Sequence, residues 1–273
     1  MAAADPAEPV GLSPADVVTR LRAAGCVFAE DEAALLLSAA RTPDELAAMT
    51  GRRAAGLPLE HVLGWAEFCG LRIAIDPGVF VPRRRTEHLV RRAVALASAS
   101  RSGSGAAPVV LDLCCGSGAV GAALAAALDG IELHAADIDP AAVRCAHRNL
   151  GPAGHVYEGD LYEPLPAALR GRVDILVANT PYVPTDAIGL LPPEARDHEP
   201  TVALDGGSDG IDVQRRVAAS ARQWLAPGGH LLVETSERQA PLTVAAFIAA
   251  GLTTEVHTCD DLTATVVTGT RPS

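Results

Sequence analysis

The 273-residue chain is 49% hydrophobic and 20% charged, which provides ample core material and excludes a wholly disordered chain. Its net charge of −11 argues against whole-surface attraction to nucleic acid or an anionic membrane, although a local basic patch stays open. No lysine occurs, so chemistry that needs a catalytic lysine or a lysine Schiff base is excluded. In chain order, residues 13–63 read as helical. Ser13-Pro14 is a cap and first-turn pair, Val17, Val18 and Leu21 form an apolar stripe, and Gly25 stops the segment. A second helix is expected over 30–40 and a third from Thr42-Pro43-Asp44-Glu45.

Strand-like alternation at Phe68, Leu71, Ile73 and Ile75, then Pro77-Gly78 before Val79-Phe80-Val81, predicts a hairpin turning at Pro77-Gly78. A helix over 86–98 and a loop over 100–108 follow. Beyond Pro108, apolar strands at 109–113, 131–136 and 173–178 alternate with helices at 118–128 and 140–150. Helices at 212–225 and 240–250 and strands at 230–234, 254–257 and 263–268 complete the pattern. This rhythm predicts an α/β domain with a mostly parallel sheet covered on both faces. The expected division is a helical domain over 1–64, a hairpin linker over 65–82 and the α/β domain over 83–273.

The strand ending at Asp112 runs into Cys114-Cys115-Gly116-Ser117-Gly118, a tight turn before a helix, where a ligand meets backbone at the carboxyl ends of parallel strands. The full dinucleotide fingerprint and a Walker lysine are both missing. Asp137, at the end of the next strand, is the ribose candidate, with Ile138 beside it; Asp139-Pro140 reads as a helix cap. Asp160 and Leu161 offer an acidic loop and an apolar cover for an adenine ring. Asn179-Thr180-Pro181-Tyr182 closes the third apolar strand, and its amide, carbonyl and flat ring suit an amide or exocyclic amine.

Six cysteines, Cys26, Cys69, Cys114, Cys115, Cys145 and Cys259, match neither a zinc cluster nor a secreted disulfide framework, and a reducing cytoplasm fits them. Histidines such as His88, His134, His155 and His230 form no short ligand set, so no metal is expected. The acidic N-terminus has no arginine-led apolar signal, and the Ala-rich stretches fall short of a membrane span, so a cytoplasmic protein without membrane contact is expected.

The strand-turn-helix segment resembles class I S-adenosylmethionine-dependent methyltransferases, which implies a Rossmann-like seven-stranded sheet with an antiparallel last strand. Asn179-Thr180-Pro181-Tyr182 resembles the Asn-Pro-Pro-Tyr loop of amino-methyltransferases that modify glutamine, adenine or cytosine, with Thr180 replacing the first proline. Together with Pro77-Gly78-Val79-Phe80-Val81-Pro82-Arg83, Thr86-Glu87 and the 199–210 block, the whole is similar to HemK/PrmC protein-glutamine N5-methyltransferases. Arg84 and Arg85 stand where that pattern has Pro-Glu, and Thr235-Ser236 follow Glu234 where it has Ile-Gly.

The resemblance implies S-adenosylmethionine as cofactor, S-adenosylhomocysteine as product, and the Gly-Gly-Gln glutamine of peptide chain release factors as acceptor. It casts the amino-terminal helices as the substrate-recognition domain, and a monomer is expected. The cofactor set is Thr86, Asp112, Cys114, Cys115, Gly116, Ser117, Gly118, Asp137, Ile138, Asp160, Leu161 and Asn179, and the catalytic set is Asn179, Thr180, Pro181 and Tyr182. Glu199 is a candidate for holding a loop, and Asp209 for structural support. Nucleic-acid contact would run through Arg83, Arg84 and Arg85. Three alternatives stay open: an adenine or cytosine amino-methyltransferase, a small-molecule methyltransferase, and a cofactor-binding protein without transfer activity.

Overall fold

The computed structural model describes residues 11–100 and 107–273; the acidic leader and most of the loop expected over 100–108 lie outside the described residues. Helix α1 (Pro14–Ala23) starts in a capping box, with the Ser13 hydroxyl accepting from the Asp16 amide and the Asp16 carboxylate accepting from the Ser13 amide. Helices α2 (Ala29–Ala39), α3 (Pro43–Ala54, capped by Thr42) and α4 (Leu59–Leu63) pack with α1 around Val17, Leu21, Leu36, Leu46, Met49 and Val62.

Arg53 of α3 is 6% exposed and bridges Glu32 of α2, at 2.6 Å, to Glu194, also at 2.6 Å, in a segment far along the chain. Removing one partner of a buried pair strands the other charge. Arg53→Met is therefore expected to lower unfolding free energy by about 3 kcal/mol, whereas Glu194→Gln, acting on a half-exposed partner, costs under about 1 kcal/mol. Urea unfolding midpoints of the two variants check the contrast.

Strands β1 (Trp65–Phe68) and β2 (Leu71–Ala74) pair antiparallel, Phe68 opposite Leu71, so the hairpin turns at Cys69-Gly70 and not at Pro77-Gly78. Cys69 and Gly70 have φ of 51° and 74°, the left-handed pair that a two-residue hairpin loop demands. The step of three from Phe68 to Leu71, where the alternation of two breaks, marks this turn. Residues 79–81 form no strand; Val79 and Val81 are instead a buried strap held by His61, whose Nε2 lies 2.9 Å from the Val79 carbonyl.

Helix α5 (Glu87–Ser100) follows a 3-10 turn at Arg84–Thr86. The α/β rhythm then runs β3 (Val109–Leu113), α6 (Ala119–Ala127), β4 (Glu132–Asp137), α7 (Pro140–Leu150), β5 (Gly154–Glu158) and β6 (Val173–Ala178). Short α8 (Pro193–His198) precedes α9 (Asp212–Trp224), β7 (Leu225–Thr235), α10 (Ala240–Ala249), β8 (Thr253–Cys259) and β9 (Ala264–Thr270). The seven strands lie in the order β5-β4-β3-β6-β7-β9-β8, all parallel except β9, which runs antiparallel to both neighbours. This is the class I methyltransferase sheet.

Strand side chains alternate between two apolar layers: Val110, Ile175, Val177 and Leu232 face the α5–α6 side, while Leu111, Leu176, Leu231 and Val233 face α9 and α10. Strand β5 had no place among the expected strands. It is a half-exposed edge of five residues without the continuous apolar run of its neighbours. The order reverses between β3 and β6, which opens a crevice at their carboxyl ends. Among the described residues, no helix is long and apolar enough to cross a membrane.

Candidate active site

A cavity of about 820 Å³ occupies that crevice and extends to Pro58, Glu60 and Phe80 at the edge of the helical bundle. Every predicted site residue lines it except Gly118. The turn after β3 places Cys114, Gly116 and Gly118 at φ of 55°, 54° and 77°. Gly118 opens α6 where a Cβ would come within 3.1 Å of Ala146 on α7, so its role is close helix packing behind the cavity.

Asn149 of α7, which sequence reasoning passed over, donates to the Ser117 carbonyl at 2.8 Å and the Ala74 carbonyl at 2.9 Å, tying this turn to the hairpin. Burial pushes both Cys114 and Cys115 thiols well up, so this adjacent pair stays protonated and offers no thiolate. All six cysteines are free.

Asp137 Oδ2 accepts from the Gly116 amide at 2.8 Å and Oδ1 from the Asp139 amide at 2.9 Å. Each oxygen keeps a second lone pair for a ligand hydroxyl. Burial raises this carboxyl, with backbone amides opposing it. Asp139 caps α7, its Oδ1 accepting from the Ala141 amide at 2.8 Å. Leu161 holds a left-handed φ of 50°, and Asp160 pairs at 2.5 Å with Arg216 of α9, a cavity residue that nothing local in the sequence marks.

Asp112, at the floor, accepts from the Gly121 amide at 2.9 Å and is pushed up to about 7 by burial, with that amide pulling it back. The folded carboxyl thus keeps its proton up to about pH 7, whereas the unfolded chain loses it near its ordinary value of 3.8. The unfolded state binds fewer protons across this window, so the group's contribution to stability falls as pH rises through it. Asp112→Asn keeps an acceptor for Gly121 and removes the titration. The variant is expected to flatten the pH dependence and to exceed the parent in stability above about pH 7, as urea midpoints on either side of the window will read.

A further wall of the cavity starts where β6 ends. Asn179 Nδ2 reaches the Thr86 hydroxyl at 3.4 Å, while Asn179 Oδ1 is buried with no partner among the described residues. The Thr180 hydroxyl is likewise buried and unpartnered. Orphaned buried acceptors are rare and mark a place where a ligand completes the hydrogen bonding.

Tyr182 presents its ring to the cavity, and burial pushes its hydroxyl up to about 12. Its carbonyl accepts from Gln239 Nε2 at 2.9 Å, and Gly210 packs so closely that a Cβ there would lie 2.4 Å from the same carbonyl. Gln239 was not foreseen. Asp209 pairs with Arg215 at 2.5 Å, a structural part.

The Arg83–Arg85 run is not a uniform basic patch. Arg83 binds the buried carboxylate of Glu199 at 2.6 Å and stacks over Phe80, while Glu199 also accepts from the Val81 amide, so Glu199 holds the strap. Arg85 pairs with buried Glu234 at 3.2 Å and with the Tyr182 hydroxyl. Only Arg84 of the three stays outside the cavity wall. Among the described residues, no group of three or more His, Cys, Asp or Glu side chains is arranged to hold a metal.

Residues 73–189 match the family model for the methyltransferase small domain. The chain is 40% identical over 228 residues to the release factor glutamine methyltransferase of Geobacter sulfurreducens, covering 81% of this chain and 75% of the relative. It is 37% identical over 216 residues to the 4-amino-L-phenylalanine/4-methylamino-L-phenylalanine methyltransferase of Streptomyces pristinaespiralis, covering 77% and 73% respectively. A methyltransferase structure from Pyrococcus furiosus superposes with a TM-score of 0.55 at 16% identity, covering 75% of this chain and 90% of that one, a likeness of fold.

Proposed function

Because the chain belongs to the release factor glutamine methyltransferase family, we propose that it transfers a methyl group from S-adenosylmethionine to N5 of the Gly-Gly-Gln glutamine in peptide chain release factors. The observation that carries this reading is the buried, unpartnered Asn179 Oδ1 at the end of β6, beside the Tyr182 ring. A primary carboxamide supplies the N–H donor that this oxygen lacks, and its plane suits the ring.

The residues present fit the cofactor. Asp137 keeps lone pairs for ribose hydroxyls, the Cys114–Gly118 turn exposes backbone, and Leu161 offers an apolar cover. Bound there, S-adenosylmethionine supplies an electrophilic methyl group on a sulfonium. An amide nitrogen is a poor nucleophile because its lone pair is delocalised, so the protein's contribution is alignment. Asn179 Oδ1 and the Thr180 carbonyl accept the two amide hydrogens, and Tyr182 packs on the acceptor plane. One N–C bond forms as one S–C bond breaks, and the nitrogen releases one proton to solvent. Of the carboxylates along this wall, Glu199 is bound to Arg83, while Glu234 binds Arg85 through Oε1 and its buried Oε2 has no hydrogen-bond partner among the described residues.

Helices α1–α4, with residues 1–64 as their domain, take the protein substrate in this reading, and the enzyme works as a cytoplasmic monomer. A second reading, methylation of a small aromatic amine, is favoured by the same orphaned oxygen, which accepts from an arylamine equally well, and by the Streptomyces relative. Incubation with isotopically methyl-labelled S-adenosylmethionine and unmethylated release factor is expected to place label on the Gly-Gly-Gln glutamine, located by peptide mass spectrometry. Label absent there, but present on 4-aminophenylalanine, would transfer the assignment to the second reading.

A further inference from the structure

Arg85 joins three chain segments that meet at the acceptor wall. Its Nε donates to Glu234 Oε1 at 3.2 Å, its Nη2 donates to the Tyr182 hydroxyl, and its Cζ lies 5.4 Å from the Tyr182 ring centroid. Glu234 is the penultimate residue of β7, next to β6, from which Asn179 and Tyr182 follow, since Ala178 is paired with Val233. The glutamate side chain is 2% exposed, so its carboxylate is a fixed anchor; the arginine is 44% exposed and reaches the cavity. Gln239 and Gly210 fix the Tyr182 backbone but touch only its carbonyl. Among the described residues, the ring hydroxyl meets Arg85 and the Glu234 carboxylate that anchors it, so the three side chains form one brace.

We infer that Arg85 is a positioning residue for the acceptor: anchored on Glu234, its guanidinium sets the orientation of the Tyr182 ring against which the planar acceptor group lies. Two features of the sequence converge here. Thr180 leaves φ of the loop free where a proline would fix it, and Arg85 reaches the Tyr182 ring of the same loop from a distant segment. A glutamate at that position would set a second carboxylate against buried Glu234; arginine instead binds it and holds the tyrosine through a planar fork. Side-chain bracing of the ring thus takes over part of the ordering that a proline provides in the backbone.

The inference rests on the acceptor reading above, so its test has one arm that needs no acceptor. The chain has three tyrosines, which makes ring-carbon NMR of tyrosine-labelled full-length protein assignable through Tyr182→Phe. Arg85→Met is expected to shift the Tyr182 ring signals and speed its ring flips. Turnover of release factor should fall about tenfold to a hundredfold, the scale of a modest misplacement of reacting groups, with cofactor Kd held within about twofold.

Arg85→Lys, which restores charge but not the fork, should recover only part of the turnover, and Arg84→Met should leave both readouts unchanged. The double variant Arg85→Met/Glu234→Gln removes the stranded buried charge and keeps the test valid if the single variant folds poorly. Unchanged Tyr182 signals, or normal turnover despite a reoriented ring, would overturn the inference. Failure of the parent protein to label any release factor would instead count against the acceptor reading, while the NMR arm still decides whether Arg85 orients the ring.

Discussion

Asn179→Ala is expected to lower kcat by about 10²- to 10³-fold, the range seen when one preorganised polar group is removed from a reaction centre. The fold should not suffer. Asn179 Oδ1 has no protein partner, and its Nδ2 makes only a long 3.4 Å contact with Thr86, so the substitution deletes an unsatisfied buried group and one weak bond. Cofactor affinity should stay within a few-fold, because the turn after β3 and Asp137 are untouched. The combination of lost turnover, preserved cofactor Kd by calorimetry and an unchanged Tm separates a role in holding the acceptor from a structural one. Turnover near the parent value would remove Asn179 from the reaction centre.

Asp137→Ala should act in the opposite sense, on cofactor binding and on the fold together. The carboxylate accepts from the Gly116 and Asp139 amides, and its loss leaves two part-buried donors without partners. Each such group costs about 1–3 kcal/mol. The ligand also loses its charged acceptor, a bond of about 1.5–3 kcal/mol, so cofactor Kd is expected to rise about tenfold to a hundredfold. Saturating cofactor should restore kcat to within a few-fold of the parent. Thermal scans with increasing cofactor read both effects, because ligand stabilisation grows as RT ln(1 + [L]/Kd) and the variant's curve will be displaced to higher concentration. An unaltered Kd would place the ribose contact elsewhere.

These two residues were legible because each closes an apolar strand. Runs such as Val173–Ala178 are buried on both faces, their carboxyl ends open the crevice, and the polar residue that follows is exposed to whatever binds there. The Ser13 and Thr42 caps and the Asp139-Pro140 start of α7 were equally plain, since these caps join residues two or three apart. Edge strand β5 was missed because half-exposed strands carry a weak apolar signal, and the hairpin turn was misplaced because Pro77-Gly78 is a stronger local cue than Cys69-Gly70.

By itself, the sequence determined the α/β architecture and picked out the turn, the acid and the Asn179-Thr180-Pro181-Tyr182 motif that line the cavity at the strand ends. All of these follow from periodicity and short-range chemistry. Only the tertiary structure decided how the charges are spent. It paired Arg83 with Glu199 across 116 positions and Arg85 with Glu234 across 149, turning two members of an apparent basic run into internal braces. It brought Arg216, Gln239 and Asn149 to the site, and it joined α3 to the segment over the cavity through Arg53. The reason is physical: a charge or amide takes its meaning from what lies within about 3 Å of it, and for these groups that neighbour comes from another element of the fold.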